Sequence, residues 1–217
     1  MSKVIGIDLG TTFSAIASLD DLGNPEVLSS LEDNRKITAS AIYIDEKNVI
    51  VGDRALSYIK NEPNKVVLQT KREMENDVVY SLDQGKWVDD KDLVDSYTPA
   101  QVSSLILKKL KDYTTDVKQV VITVPAMFAE KARQATLDAA KLADLEVIEL
   151  INEPTAAVLH YASLPGVEIG GRVMIFDLGG GTFDVTFAEV KNKKVDVLTS
   201  RGDKYLGGKD FDKEITK

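Results

Sequence analysis

The same short pattern occurs twice in this chain: a β-rich run ending in an acid, then a glycine turn, a hydroxyl and a returning strand. The copies are Ile7-Asp8-Leu9-Gly10-Thr11-Thr12-Phe13 and Phe176-Asp177-Leu178-Gly179-Gly180-Gly181-Thr182-Phe183, the second with one extra glycine. Glycine lets a turn take positive φ and lets backbone N–H groups come close to a ligand. Successive N–H groups in such a turn form a concavity suited to phosphate. An aspartate beside that concavity would repel phosphate unless a cation lies between them. Asp8 and Asp177, facing one triphosphate, therefore require a divalent ion. Magnesium fits, because it takes hard oxygen ligands and keeps its waters, so the aspartates act through water. The first copy, Asp8-Leu9-Gly10, taken alone is equally well an ordinary hairpin. The pair, with three glycines in the second, favours a polyphosphate grip.

Composition removes most competing chemistries. The chain has 217 residues, 43% hydrophobic and 29% charged, enough for a buried core. A net charge of −8 disfavours a general nucleic-acid or anionic-membrane binder. With no cysteine there is no disulfide, Cys-zinc site or thiol nucleophile. The single histidine, His160, rules out a multi-His metal site and reads as a packed or half-exposed side chain. Chemistry here must use carboxylates, lysines, hydroxyls, amides and a hard cation. No apolar run approaches the roughly 18 residues needed to cross a bilayer. Ala15-Ile16-Ala17 mimics a signal-peptidase site, but Asp8 interrupts the would-be apolar segment. A cytoplasmic protein without a secretory leader is expected. No G-x-x-x-x-G-K-[ST] is present, residues 202–209 misplacing the lysine by one, and no G-x-G-x-x-G follows a strand.

Along the chain, hairpins are expected at 3–19 and at 40–52, then a polar, irregular insertion over 61–93. Trp87 with Asp89, Asp90, Asp92 and Asp95 reads as a solvated hairpin or loop. Thr98-Pro99 is an N-cap followed by a first-turn proline, and Val102, Leu105, Ile106, Leu110 and Tyr113 then recur at helical spacing. A buried strand over 120–124, a helix over 130–143, a strand over 146–151 and a helix over 154–162 follow. A loop near Gly170-Gly171 restarts the chain, with strands at 172–177, 183–190 and 195–199 and a final helix after Leu206-Gly207-Gly208. Strands alternating with helices imply an α/β fold.

Four segments sharpen this. Residues 5–12, Asn152-Glu153-Pro154-Thr155-Ala156-Ala157, residues 177–184 and Leu206-Gly207-Gly208-Lys209-Asp210-Phe211-Asp212 resemble the signatures of DnaK-type seventy-kilodalton heat-shock chaperones, in the right order and over nearly the whole chain. The resemblance implies an actin-like ATPase (ribonuclease H-like) fold of two lobes closing on MgATP. Lobe I would span 1–168, with an inserted subdomain at about 38–96, and 169–217 would open an incomplete lobe II.

By the same resemblance, Gly10, Thr11, Thr12 and Phe13 hold the phosphates from one side. Gly179, Gly180, Gly181 and Thr182 hold them from the other, with the Thr182 hydroxyl near the γ-phosphate. Asp8 and Asp177 orient magnesium. Lys71, in Gln69-Thr70-Lys71-Arg72, matches the catalytic lysine, and Pro125 and Arg133 match residues that relay nucleotide state. Glu153 has a further argument: a residue before proline avoids the α region, so it should sit extended at a strand-to-helix junction, placed to orient the hydrolytic water. A glutamate favoured by the helix dipole explains the same position. The implied partners are unfolded polypeptides bound by another domain, a J-domain co-chaperone and a nucleotide-exchange factor. Taken alone, the chain is expected to bind ATP weakly and barely hydrolyse it. Phe13, Met74-Glu75-Asn76-Asp77, Lys204-Tyr205, Lys209 and Ala39 depart from the family pattern without removing a phosphate or metal ligand. The rival readings are an actin-like filament protein and a sugar or acetate kinase of the same superfamily.

Overall fold

The computed structural model describes residues 3–115, 117–192 and 194–216. It divides into two compact units, residues 1–122 with 129–149, and residues 123–128 with 150–217.

In the first unit, β1 (Lys3–Asp8) and β2 (Phe13–Leu19) form an antiparallel hairpin with Ile7 opposite Ile16 and Asp8 opposite Ala15. The Asp20 carboxylate accepts the N–H groups of Leu22 and Asn24, each at 2.8 Å, and so turns the chain into β3 (Pro25–Val27). β4 (Thr38–Ala39) pairs with the start of β2. β5 (Ala41–Ile44), β6 (Val49–Val51) and, beyond the short α1 (Asp53–Leu56), β7 (Val66–Leu68) make a separate sheet in the order β6-β5-β7. It has its own core of Ala39, Ala41, Tyr43, Ala55 and Val66.

The segment expected to be irregular is more regular than that. It holds β7, β8 (Val79–Ser81) and β9 (Lys86–Val88), and β10 (Ser96–Tyr97) completes a sheet ordered β10-β8-β9. Strands of two or three residues are too short to register as an alternation. Long-range contacts hold them instead. Trp87 is half-buried, edge-on to Tyr80 at 5.4 Å, and the Tyr80 hydroxyl is shared between the carbonyls of Asn64 and Val66.

α2 (Pro99–Lys111) starts in a full capping box: Thr98 Oγ1 accepts from Gln101 N–H, while the Gln101 side chain accepts from Thr98 N–H. Its apolar side, with Val102, Ile106, Leu107 and Leu110 all buried, packs on α3 (Glu130–Leu142), whose facing side is Ala132, Ala139 and Ala140. Between the helices runs β11 (Val117–Val124), and after them β12 (Glu146–Asn152). The main sheet is ordered β12-β11-β1-β2-β3. Ile5, Ile7, Ile16, Val120, Ile122 and Val124 are its fully buried side chains, each stabilising by about 1.5–3 kcal/mol.

The second unit contains α4 (Glu153–Ser163), the meander β13 (Gly171–Leu178), β14 (Phe183–Lys191) and β15 (Lys194–Asp203), and α5 (Gly208–Ile215). Thr186, Ala188 and Val190 mark the buried face of β14, and α4 packs against β13 and β15. No described helix is long and apolar enough to cross a membrane.

Candidate functional site

The first acid–glycine turn is fixed by two serines. Gly10 N–H donates to Ser14 Oγ at 3.1 Å, Ser14 Oγ lies 2.9 Å from Ser40 Oγ, and Ser40 Oγ donates to Gly10 C=O at 2.8 Å. Because Ser40 spends its proton on Gly10, Ser14 must donate to Ser40. The relay is closed, and both serines are buried. Ser40 N–H also bonds Thr12 C=O at 2.8 Å. A side chain at Gly10 would place its Cβ 2.0 Å from the Phe13 carbonyl oxygen. Thr11 is buried, whereas Asp8, Thr12 and Phe13 are exposed at the end of the hairpin.

The second turn is fixed by backbone on backbone. β13 and β14 stay paired one step beyond the acid, to Leu178 opposite Phe183, and Gly179 N–H closes the tip onto Thr182 C=O at 2.9 Å. The start of α5 lies directly on this tip. Gly208 N–H bonds Gly179 C=O at 3.0 Å and Lys209 N–H bonds Gly180 C=O at 3.1 Å. A Cβ on Gly207 would stand 2.4 Å from Gly181 N and 2.6 Å from Gly180 C. Thus the 206–212 signature is the seat of the triple-glycine turn, a role its sequence did not announce.

The register also adds Asp184, which lies directly opposite Asp177 across the hairpin. Asp184 is buried, and its other neighbour is Gly202, where a Cβ would fall 2.7 Å from Asp184 Oδ1. Like charges placed opposite on one sheet face repel each other. The signal was present in the sequence: Asp177 and Asp184 flank the glycine tip symmetrically.

Lys71 lies in a 3-10 turn, Thr70–Glu73, entered through Gln69 in the left-handed region (φ 59°, ψ 28°). Lys71 and Arg72 are buried, and so is Thr70, whose Oγ1 has no hydrogen-bond partner among the described residues. The departure at 74–77 has a structural purpose. Met74 is buried and accepts a hydrogen bond from Ser103 of α2, while Asp77 pairs with Lys91 at 3.0 Å and with Lys131 of α3 at 2.8 Å. Those two lysines hold the Asp77 carboxyl below its ordinary pKa.

Glu153 requires a correction. It is the first residue of α4, half-buried, and the extended residue at the junction is Asn152 (φ −67°, ψ 135°). Proline is tolerated in a helix's first turn because its missing N–H would have no intrahelical partner there, and here that tolerance outweighs the pre-proline preference for extended backbone. The strand-to-helix junction itself is as expected. His160 is exposed, not packed, and Arg133 is half-buried on α3. Pro125 accepts a turn bond from Phe128 N–H at 3.1 Å.

Among the described residues no group of three or more His, Asp or Glu side chains could hold an ion. An ion bound through one or two carboxylates, its own waters and phosphate oxygens needs no such cage.

The family model described as Hsp70 protein matches residues 4–217 of the chain. The chain belongs to the Hsp70 family. Hsp70 proteins are chaperone ATPases with an actin-like ATPase fold that bind ATP or ADP, generally with Mg2+, and the mixed α/β architecture with several sheets agrees with that assignment.

Proposed function

We propose that this chain is the DnaK-type nucleotide-binding part of an Hsp70 chaperone and that it binds MgATP through both acid–glycine hairpins. Gly10, Thr11, Thr12 and Phe13 in one hairpin, and Gly179, Gly180, Gly181 and Thr182 in the other, are its phosphate-binding loops. Asp8 and Asp177 would hold magnesium through its waters, and the ion would supply neutralisation of the phosphate charge. Lys71 offers its ammonium to the γ-phosphate, Thr182 its hydroxyl, and Glu153 orients the attacking water. In this reading the residues act by positioning and electrostatics, which is most of what phosphoryl transfer demands. Nucleotide state then gates polypeptide binding in another domain, with a J-domain co-chaperone and an exchange factor setting the pace.

The observation that carries the reading is the triple-glycine tip, closed on itself and seated on Gly207 and Gly208, with Asp177 and Asp184 at its base. Such a tip spends backbone atoms, not side chains, on holding its shape. The test substitutes Mn2+ for Mg2+ in the presence of ATP and follows paramagnetic broadening of backbone amide signals. Selective broadening around Asp8 and Asp177 supports the reading; broadening confined to surface acids such as Asp89 and Asp90 contradicts it.

A further inference from the structure

Ser40 stands at a junction between two sheets. Before it, Thr38 and Ala39 pair with β2, Thr38 opposite Ser14 and Ala39 opposite Phe13. After it, Ala41–Ile44 forms the central strand of the β6-β5-β7 sheet. Its two chain neighbours, Ala39 and Ala41, belong to the core of that sheet and are fully buried. From this fixed place Ser40 holds two carbonyls of the first acid–glycine turn, Gly10 C=O through its hydroxyl and Thr12 C=O through its N–H, each at 2.8 Å. Ser14, on the turn's own hairpin, closes the ring at Gly10 N–H.

These bonds fix the direction of the loop's dipoles. No cis peptide bond occurs among the described residues, and in a trans peptide the N–H points opposite to the C=O of the same unit. With both carbonyls drawn onto Ser40, the Thr11 and Phe13 N–H groups point away from it. An N–H turned toward a phosphate attracts it, whereas a carbonyl repels it. We propose that Ser40 is a positioning residue for nucleotide binding. Anchored in the β6-β5-β7 sheet, it turns the 10–13 loop so that amide donors, not carbonyls, face the phosphates. It acts through the Gly10 and Thr12 carbonyls, not on the nucleotide itself. The proposal rests on the reading of that loop as phosphate-binding.

The test is a titration of the 15N-labelled chain with MgATP, read at the Thr11, Thr12 and Phe13 amides, with a matched control. Thr38 is a second buried hydroxyl two positions away, and its Oγ1 lies 2.6 Å from the Tyr113 hydroxyl instead of on the loop. Ser40→Ala and Thr38→Val each remove one buried hydroxyl and should lower the melting temperature to a similar degree. Only Ser40→Ala should shift the Thr11 and Phe13 amides before nucleotide is added. It should also weaken MgATP binding about five- to tenfold, while Thr38→Val keeps it within about twofold. Ser40→Cys fills nearly the same space with a weak donor, so its affinity should fall between those of Ser40→Ala and the unsubstituted chain, and it decides the matter if the alanine variant does not fold. Undiminished affinity in the position-40 variants, or an equal loss in Thr38→Val, would overturn the proposal and leave the loop's phosphate-binding role standing. MgATP that moves none of these amides in the unsubstituted chain would overturn both.

Discussion

In the first hairpin strand pairing ends at Asp8 opposite Ala15, and the loop beyond is held by the hydroxyls of Ser14 and Ser40. In the second it runs past Asp177 to Leu178 opposite Phe183, and the tip is held by the backbone of residues 207–209. The acid of the first faces an alanine; that of the second faces another acid. Two turns with nearly the same sequence outline therefore fail in different ways. Both are sensitive to atoms added at a glycine, but the first is sensitive as well to atoms removed from its serines.

The largest effects should come from glycine. Gly10→Ala drives a Cβ to 2.0 Å from a carbonyl oxygen, and Gly207→Ala drives one to 2.4 Å from Gly181 N. Each should cost about 3 kcal/mol in denaturant unfolding, since backbone must move in both cases. Gly6→Ala and Gly208→Ala are the matched controls, with nothing within 4 Å and a nearest atom at 3.9 Å, and should cost about 1 kcal/mol or less. Equal losses at 207 and 208 would break the account of the second turn.

Next in size is Ser14→Ala, which strands the Gly10 N–H and should cost about 1–2 kcal/mol with faster amide exchange at Gly10. Ser200→Ala is the comparison in the other hairpin. Its Oγ bonds Thr186 Oγ1 at 2.8 Å away from the tip, so exchange at Gly179 should not change. Smallest is Asp184→Asn. It should reduce, by about a few tenths of a kcal/mol, the gain in thermal stability expected from the proposed MgATP complex, with the loss felt at both hairpins.

Local chemistry made much of this legible beforehand. The capping box at Thr98, the alternation through Ile5, Ile7 and Ile16, and both acid–glycine turns are encoded within a few residues. What escaped the sequence acts over distance. Ser14 and Ser40 are 26 positions apart. Gly207 meets Gly181 only after two full strands have intervened, and the short strands around Tyr80 and Trp87 are sustained by packing, not by periodicity. Glu153 was misjudged because a general pre-proline preference was applied where the first helical turn relaxes it.

The central claim, that both hairpins serve one nucleotide, is tested most directly by titrating the 15N-labelled chain with MgATP and following the amides of residues 10–13 and 179–182. The account predicts that both sets shift along one saturation curve with a common midpoint, and that EDTA reverses both together. Shifts in only one set, or two curves with separate midpoints, would contradict it.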